Sequence, residues 1–183
     1  MGMSGWECEL RPCERRTNIR AGEFWHIPSN APAGTFQVTG NKAVVSYGVD
    51  LIQDPRALIA VFAHELCHYL QETVPEPSPG GFRAHELMAE LAVAYCGFGV
   101  FAANAAFHFE QHRDAFSQGW STKRQGYLSE RTWAFAIALF LTLKGHPGAA
   151  RDALKPNIAQ TVKQAERYLE RNPQLWAPLR AIV

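Results

Sequence analysis

The chain has 183 residues, 47% of them hydrophobic and 19% charged, with a formal net charge of +1. That composition suits a single globular domain long enough to bury a core. Eighteen basic residues against 17 acidic ones leave no strong field to draw in nucleic acid or an anionic membrane, so neither partner is expected.

The opening stretch MGMSGWECELRPCERR has no apolar run of the kind a secretory signal needs, and Trp6 stands where a myristoylation pattern needs Ser or Thr. A cytoplasmic location is the expectation. Residues 1–30 show no periodic pattern and read as irregular. Cys8 and Cys13 would allow a disulfide or a metal clip, but a lone C-x4-C pair specifies little. After the turn-rich IPSNAPAG, the runs TFQVT and KAVVSYG flank Gly40-Asn41, which predicts a β-hairpin. Asp54 and Pro55 are an N-cap and a first helical residue, so a helix is predicted through PRALIAVFAHELCHYLQ. ETVPEPSPGGF breaks it.

A second helix is expected from about residue 83 to about residue 107. Its apolar run LMAELAVAYCGFGVFAANAAF is interrupted by Glu90 and Asn104, so it reads as a buried helix rather than a membrane span. Cys67 and Cys96 lie inside apolar helical patterns and read as small buried hydrophobes. The stretch HFEQHRDAFSQGWSTKRQGYL follows no single pattern. Ser129 caps a third helix, ERTWAFAIALFLTLK, apolar nearly all round, and Gly145 ends it. The last helix, about Pro156 to Arg171, is amphipathic through Ile158, Val162, Ala165 and Leu169, and Pro173 stops it. No linker divides the chain. The expected architecture is one α+β domain over 1–183, mainly helical: a small hairpin or sheet, then the HELCH helix, a second helix and C-terminal helices.

The chemistry concentrates in VFAHELCHYLQ, which holds His64, Glu65 and His68 as H-E-x-x-H. Residues four apart share a helix face, so His64 and His68 can aim two imidazoles at one ion. Glu65 lies about 100° round from His64, which suits a base that takes a proton from water activated by the metal. Ala57, Ala60 and Cys67 keep that face small, leaving room for an ion and a second element, while Leu58, Phe62, Leu66 and Tyr69 are expected to anchor another face to the core. Cys67, three residues from His64, is read as packing rather than as a ligand. A catalytic tetrahedral zinc needs a third protein ligand and an open position. Glu86 and Glu90, four apart on the next helix, are the candidates. The tetrapeptide AHEL occurs at 63 and again at 84, with Ala89 where the first copy has His68, and is taken as coincidence.

H-E-x-x-H followed on a later helix by E-x-x-x-D or a near variant resembles the gluzincin, or thermolysin-like, zinc metallopeptidases. The match covers His64, Glu65, His68 and Glu86, with Glu90 where the family usually has Asp. The resemblance implies Zn2+ as cofactor, Glu86 as third ligand and Glu90 as a brace behind a histidine ligand. Because Glu reaches further than Asp, Glu90 remains the alternative ligand. It also implies a hydrolase, most simply a peptidase acting on peptide or protein, in which Glu65 moves the proton and a side-chain donor holds the oxyanion. Tyr127 and His112 rank first as that donor, ahead of His108 and Arg124. In such folds an edge strand near the metal helix pairs with extended peptide, and Val44 to Tyr47 is the expected edge. Two other classes stand beside this one: a non-catalytic metal-stabilised helical interaction module, which would have no use for Glu65 as a base, and a metal-free helical binding protein.

Overall fold

The computed structural model describes residues 5–14, 33–39, 42–106 and 128–181. Strands β1 (Cys8–Cys13), β2 (Gly34–Thr39) and β3 (Lys42–Gly48) form one sheet in the order β1-β3-β2. β2 and β3 are antiparallel, with Thr39 opposite Lys42, as the Gly40-Asn41 turn signal predicts. β1 runs parallel to β3 from Cys8↔Ala43 to Cys13↔Gly48. This strand corrects the expectation of an irregular amino terminus: β3 supplies the hydrogen-bonding partner that local propensity does not advertise, and an edge position tolerates Pro12. Strand geometry also sets Cys8 and Cys13 roughly 16 Å apart, beyond the reach of a disulfide, and both thiols are free.

Helix α1 (Pro55–Glu72) starts as predicted. The Asp54 side chain accepts hydrogen bonds from the Arg56 and Ala57 backbone N–H groups. α2 covers His85–Tyr95, α3 residues 99–106, α4 Glu130–Lys144 and α5 Pro156–Arg171. The single long helix expected over 83–107 is therefore two. Gly97 takes φ 88°, a left-handed conformation that ends α2 and that side-chain-bearing residues avoid. Hydrophobicity continues across this break, but helical torsions do not. Ser129 caps α4 through the Thr132 N–H, and Gly145, at φ 76°, ends it.

The layers run sheet, α1, α2, α4, α5, each packing on the next. The main core lies among the helices, with Val93, Trp133, Ile137, Ile158, Val162 and Leu169 at its centre. α4 is less enclosed than its composition suggests, since Phe135 is exposed. α1 is the hinge of the architecture: its small residues admit a second helix as expected, while its large residues anchor to the sheet rather than to the helical core. Its small residues Ala63 and Cys67 enter the helical core. The larger Phe62 and Tyr69 turn to the sheet, where Phe62 meets Tyr47 at 5.3 Å and Tyr69 stacks on Phe36 at 5.4 Å. Small side chains let α2 come close, and aromatics fill the wider gap above a sheet. No helix among the described residues is long and apolar enough to cross a membrane.

Candidate metal centre

α1 and α2 carry their polar residues to one place. His64 Nε2 lies 3.0 Å from His68 Nε2 and 3.2 Å from Glu86 Oε2, and His68 Nε2 lies 3.3 Å from the same oxygen. Donors around a tetrahedral zinc with bonds of about 2.0–2.1 Å stand roughly 3.3 Å apart. The three atoms are thus spaced as three donors of such a site would be. Among the described residues this is the one group of three or more His, Cys, Asp or Glu side chains arranged to hold a metal ion. Glu86 is its carboxylate. Glu90, one turn further along α2, is buried in the wall of the same cavity and does not join the cluster.

Burial lowers the pKa of both histidines. Each ring also lies beside another histidine that lowers it further, and Glu86 opposes the shift without reversing it. Both rings are therefore neutral near pH 7, the form that binds a metal. The Glu65 carboxyl is pushed up to about 7, first by burial and then by the charge of Glu86, while the Phe36 backbone N–H on β2 pulls the other way. A carboxylate poised there is a competent proton acceptor at neutral pH.

These groups line a cavity of about 540 Å³ whose other walls are mostly apolar, with Ala57, Ala60 and Val61 from α1, Ala102 from α3 and Trp133 from α4. The strand bordering it is β2, through Gly34, Thr35 and Phe36. That corrects the expected edge: Val44 to Tyr47 belong to β3, the central strand, whose backbone is taken on both sides. The hairpin is legible in the sequence, but the order of strands is not, because no local signal announces β1.

Cys67 is fully buried on the core side of α1 and takes no part in the cluster. Its hydrogen bond to Cys96, together with burial, pushes its thiol pKa up, so it stays protonated as a packing residue. Cys96 is half-buried rather than fully so. Tyr127, His112, His108 and Arg124 lie outside the described residues.

Two contributors stand outside the H-E-x-x-H pattern and its candidate third ligands. His85 stacks on His68 with ring centroids 4.9 Å apart. Gln71, one turn after His68 on α1, favours that ring's protonated form and donates to the His85 carbonyl at 3.5 Å. The second AHEL is the available signal for His85: both copies open onto the same cavity, so that His64, Glu65, His85 and Glu86 all line it. No family model, curated protein or solved structure matches the chain.

Proposed function

We propose that the protein is a zinc-dependent hydrolase, and specifically a peptidase that uses Glu65 as its proton-transfer group. The carrying observation is the triangle of His64 Nε2, His68 Nε2 and Glu86 Oε2, with sides of 3.0, 3.2 and 3.3 Å, open to a cavity that Glu65 also lines. A structural zinc site is closed by four protein ligands, whereas a catalytic one keeps a position free.

His64, His68 and Glu86 would hold the ion. When bound, zinc supplies Lewis acidity that polarises a carbonyl and makes water acidic. Glu65 accepts the proton of the attacking water as the tetrahedral centre forms at the carbonyl carbon, then delivers it to the leaving nitrogen. With a divalent charge held at the triangle, the Glu65 carboxyl would ionise more readily and serve as the base. His85, stacked on His68, fixes the plane of that ring; ligand histidines held in one orientation bind metal more tightly.

β2 suits an extended peptide. It pairs only with β3 among the described residues, so its other edge, apart from the Phe36 N–H that Glu65 engages, offers backbone donors and acceptors beside the cavity. The largely apolar walls around Glu65, itself 6% exposed, lower the dielectric it sees and strengthen its electrostatic interactions.

The test is metal content by elemental analysis of the purified protein beside His64→Ala and Glu86→Ala, with hydrolysis of unfolded casein measured for the parent and Glu65→Gln. The expected result is about one zinc per chain, lost or weakened in both ligand variants. Casein cleavage should vanish in Glu65→Gln while its zinc remains. Zinc retained at full occupancy in Glu86→Ala would move the third ligand elsewhere. A parent that takes up no metal would end the reading.

A further inference from the structure

One wall of the cavity approaches the base more closely than any side chain would permit. A Cβ on Gly34, the first residue of β2, would lie 2.5 Å from Val61 Cγ1, 3.0 Å from Glu65 Oε1 and 3.1 Å from Glu65 Cγ. Backbone torsion does not require the glycine, since Gly34 is not among the positive-φ residues. Space alone does.

Neither partner in this contact can retreat cheaply. Val61 is β-branched and sits within α1, where essentially one χ1 rotamer is allowed. β2 is held from behind by β3: Gly34 pairs with Tyr47, and the Gly48 N–H donates to the Ala33 carbonyl at 3.1 Å. Tyr47 in turn packs on Phe62 of α1, and Phe36 stacks on Tyr69. The strand is clamped to the helix on both sides of the contact.

We propose that Gly34 is a positioning residue for Glu65. By bringing bare backbone against the carboxylate, it closes the rotamers that would turn Glu65 away from the His64–His68–Glu86 triangle. The same strand holds the base from a second direction through the Phe36 N–H. This rests on the metallohydrolase reading. It adds that the edge strand shapes the base as well as bordering the cavity, and that a single methyl group at residue 34 is enough to displace it.

The test uses cobalt(II)-loaded full-length protein, titrated with acetohydroxamate and followed by the visible absorption of the metal. The ligand chelates through two oxygens and offers a proton to a base beside the ion, so its affinity reports where Glu65 stands. Glu65→Gln should weaken binding about tenfold, the loss of one charge-assisted hydrogen bond. Gly34→Ala should weaken it by a similar factor, and the Gly34→Ala/Glu65→Gln double variant should bind no more weakly than Glu65→Gln alone. Gly34→Ala/Val61→Ala, which removes the 2.5 Å clash, should recover the parent's melting temperature but not its affinity for acetohydroxamate.

Recovery of both in that double variant would reduce Gly34 to a packing role and overturn the proposal. So would a Gly34→Ala effect that persists undiminished in the Glu65→Gln background. Cobalt bound by the parent, with acetohydroxamate binding absent or indifferent to Glu65→Gln, would show that Glu65 does not face the metal. No cobalt bound at all would instead remove the metal centre itself, and the proposal with it.

Discussion

Two glutamates in this protein are buried to nearly the same degree in opposite kinds of surroundings. Glu65 on α1 is 6% exposed and Glu166 on α5 is 7% exposed. Both oxygens of Glu166 are committed: Oε1 accepts from the Gly148 N–H at 2.6 Å, and Oε2 accepts from the Arg151 guanidinium. Glu166 ties the loop after α4 to α5 and borders no part of the cavity beside the two histidines. Glu65 borders a cavity of about 540 Å³, and its carboxyl is pushed up to about 7. A buried charge whose partners satisfy it belongs to the scaffold. One left able to take a proton beside side chains that could hold a metal ion is, on the proposed function, the reacting group. Burial alone would have grouped the two.

The contrast can be broken by experiment. The largest effect is expected from Glu65→Gln on turnover, a loss of about 10²–10⁴-fold, the usual worth of a general base. Casein hydrolysis at matched zinc content measures it, and an unchanged rate would place Glu65 with Glu166. Glu166→Ala should do the reverse, lowering unfolding free energy by about 2–3 kcal/mol while zinc content stays at the parent's level. Urea unfolding with elemental analysis of the same samples checks both halves.

Acidity sharpens the comparison further. In chelator-treated protein, Glu65 holds its proton more tightly when folded, near 7, than at its ordinary 4.5. Between those values the folded state binds more protons than the unfolded one. The stability this group contributes is thus present below about 4.5 and lost as the pH rises through 7. Metal-free Glu65→Gln lacks that loss. It should become more stable than the parent as the pH rises from 4.5 to 7, by about 3 kcal/mol, with the difference levelling off above 7. The ligand histidines titrate in both proteins and cancel in the difference. A flat difference across that range would mean that Glu65 is as well satisfied as Glu166.

The smallest expected change tests the scaffold side alone. Asn104 is buried, donates to the Ala153 carbonyl at 2.8 Å and accepts from the Lys155 N–H at 3.0 Å. It anchors α3 to the segment leading into α5. Asn104→Ala should cost about 1–2 kcal/mol in unfolding free energy and leave zinc content unchanged.

Signals with a local stereochemical cause are legible in the chain of residues alone. Asp54-Pro55, Ser129 and Gly145 place helix ends because caps are satisfied within a few residues. The i, i+4 spacing of His64 and His68 places both rings on one face for the same reason. Glu86 is harder, since Glu90 has equal claim from spacing, and only the approach of α2 to α1 brings one carboxylate within 3.2 Å of His64. β1 escapes sequence reasoning because its pairing partner lies some 35 positions away, and the break at Gly97 is hidden inside an unbroken apolar composition. Asn104, which looks like an interruption in a buried helix, is the residue that joins two segments.

By itself the sequence determined α1 and its ends, the spacing of two imidazoles and a carboxylate on that helix, and the mainly helical α+β class. These follow from short-range geometry, a rise and a turn per residue that distant contacts do not alter. Tertiary structure decided what depends on how elements meet. It put β3 rather than β2 at the centre of the sheet, turned the small face of α1 inward, gave Glu86 to the histidines and set Gly34 against Glu65. Those outcomes rest on the volumes of facing side chains and on backbone hydrogen bonds between remote strands, and neither is written at any single position.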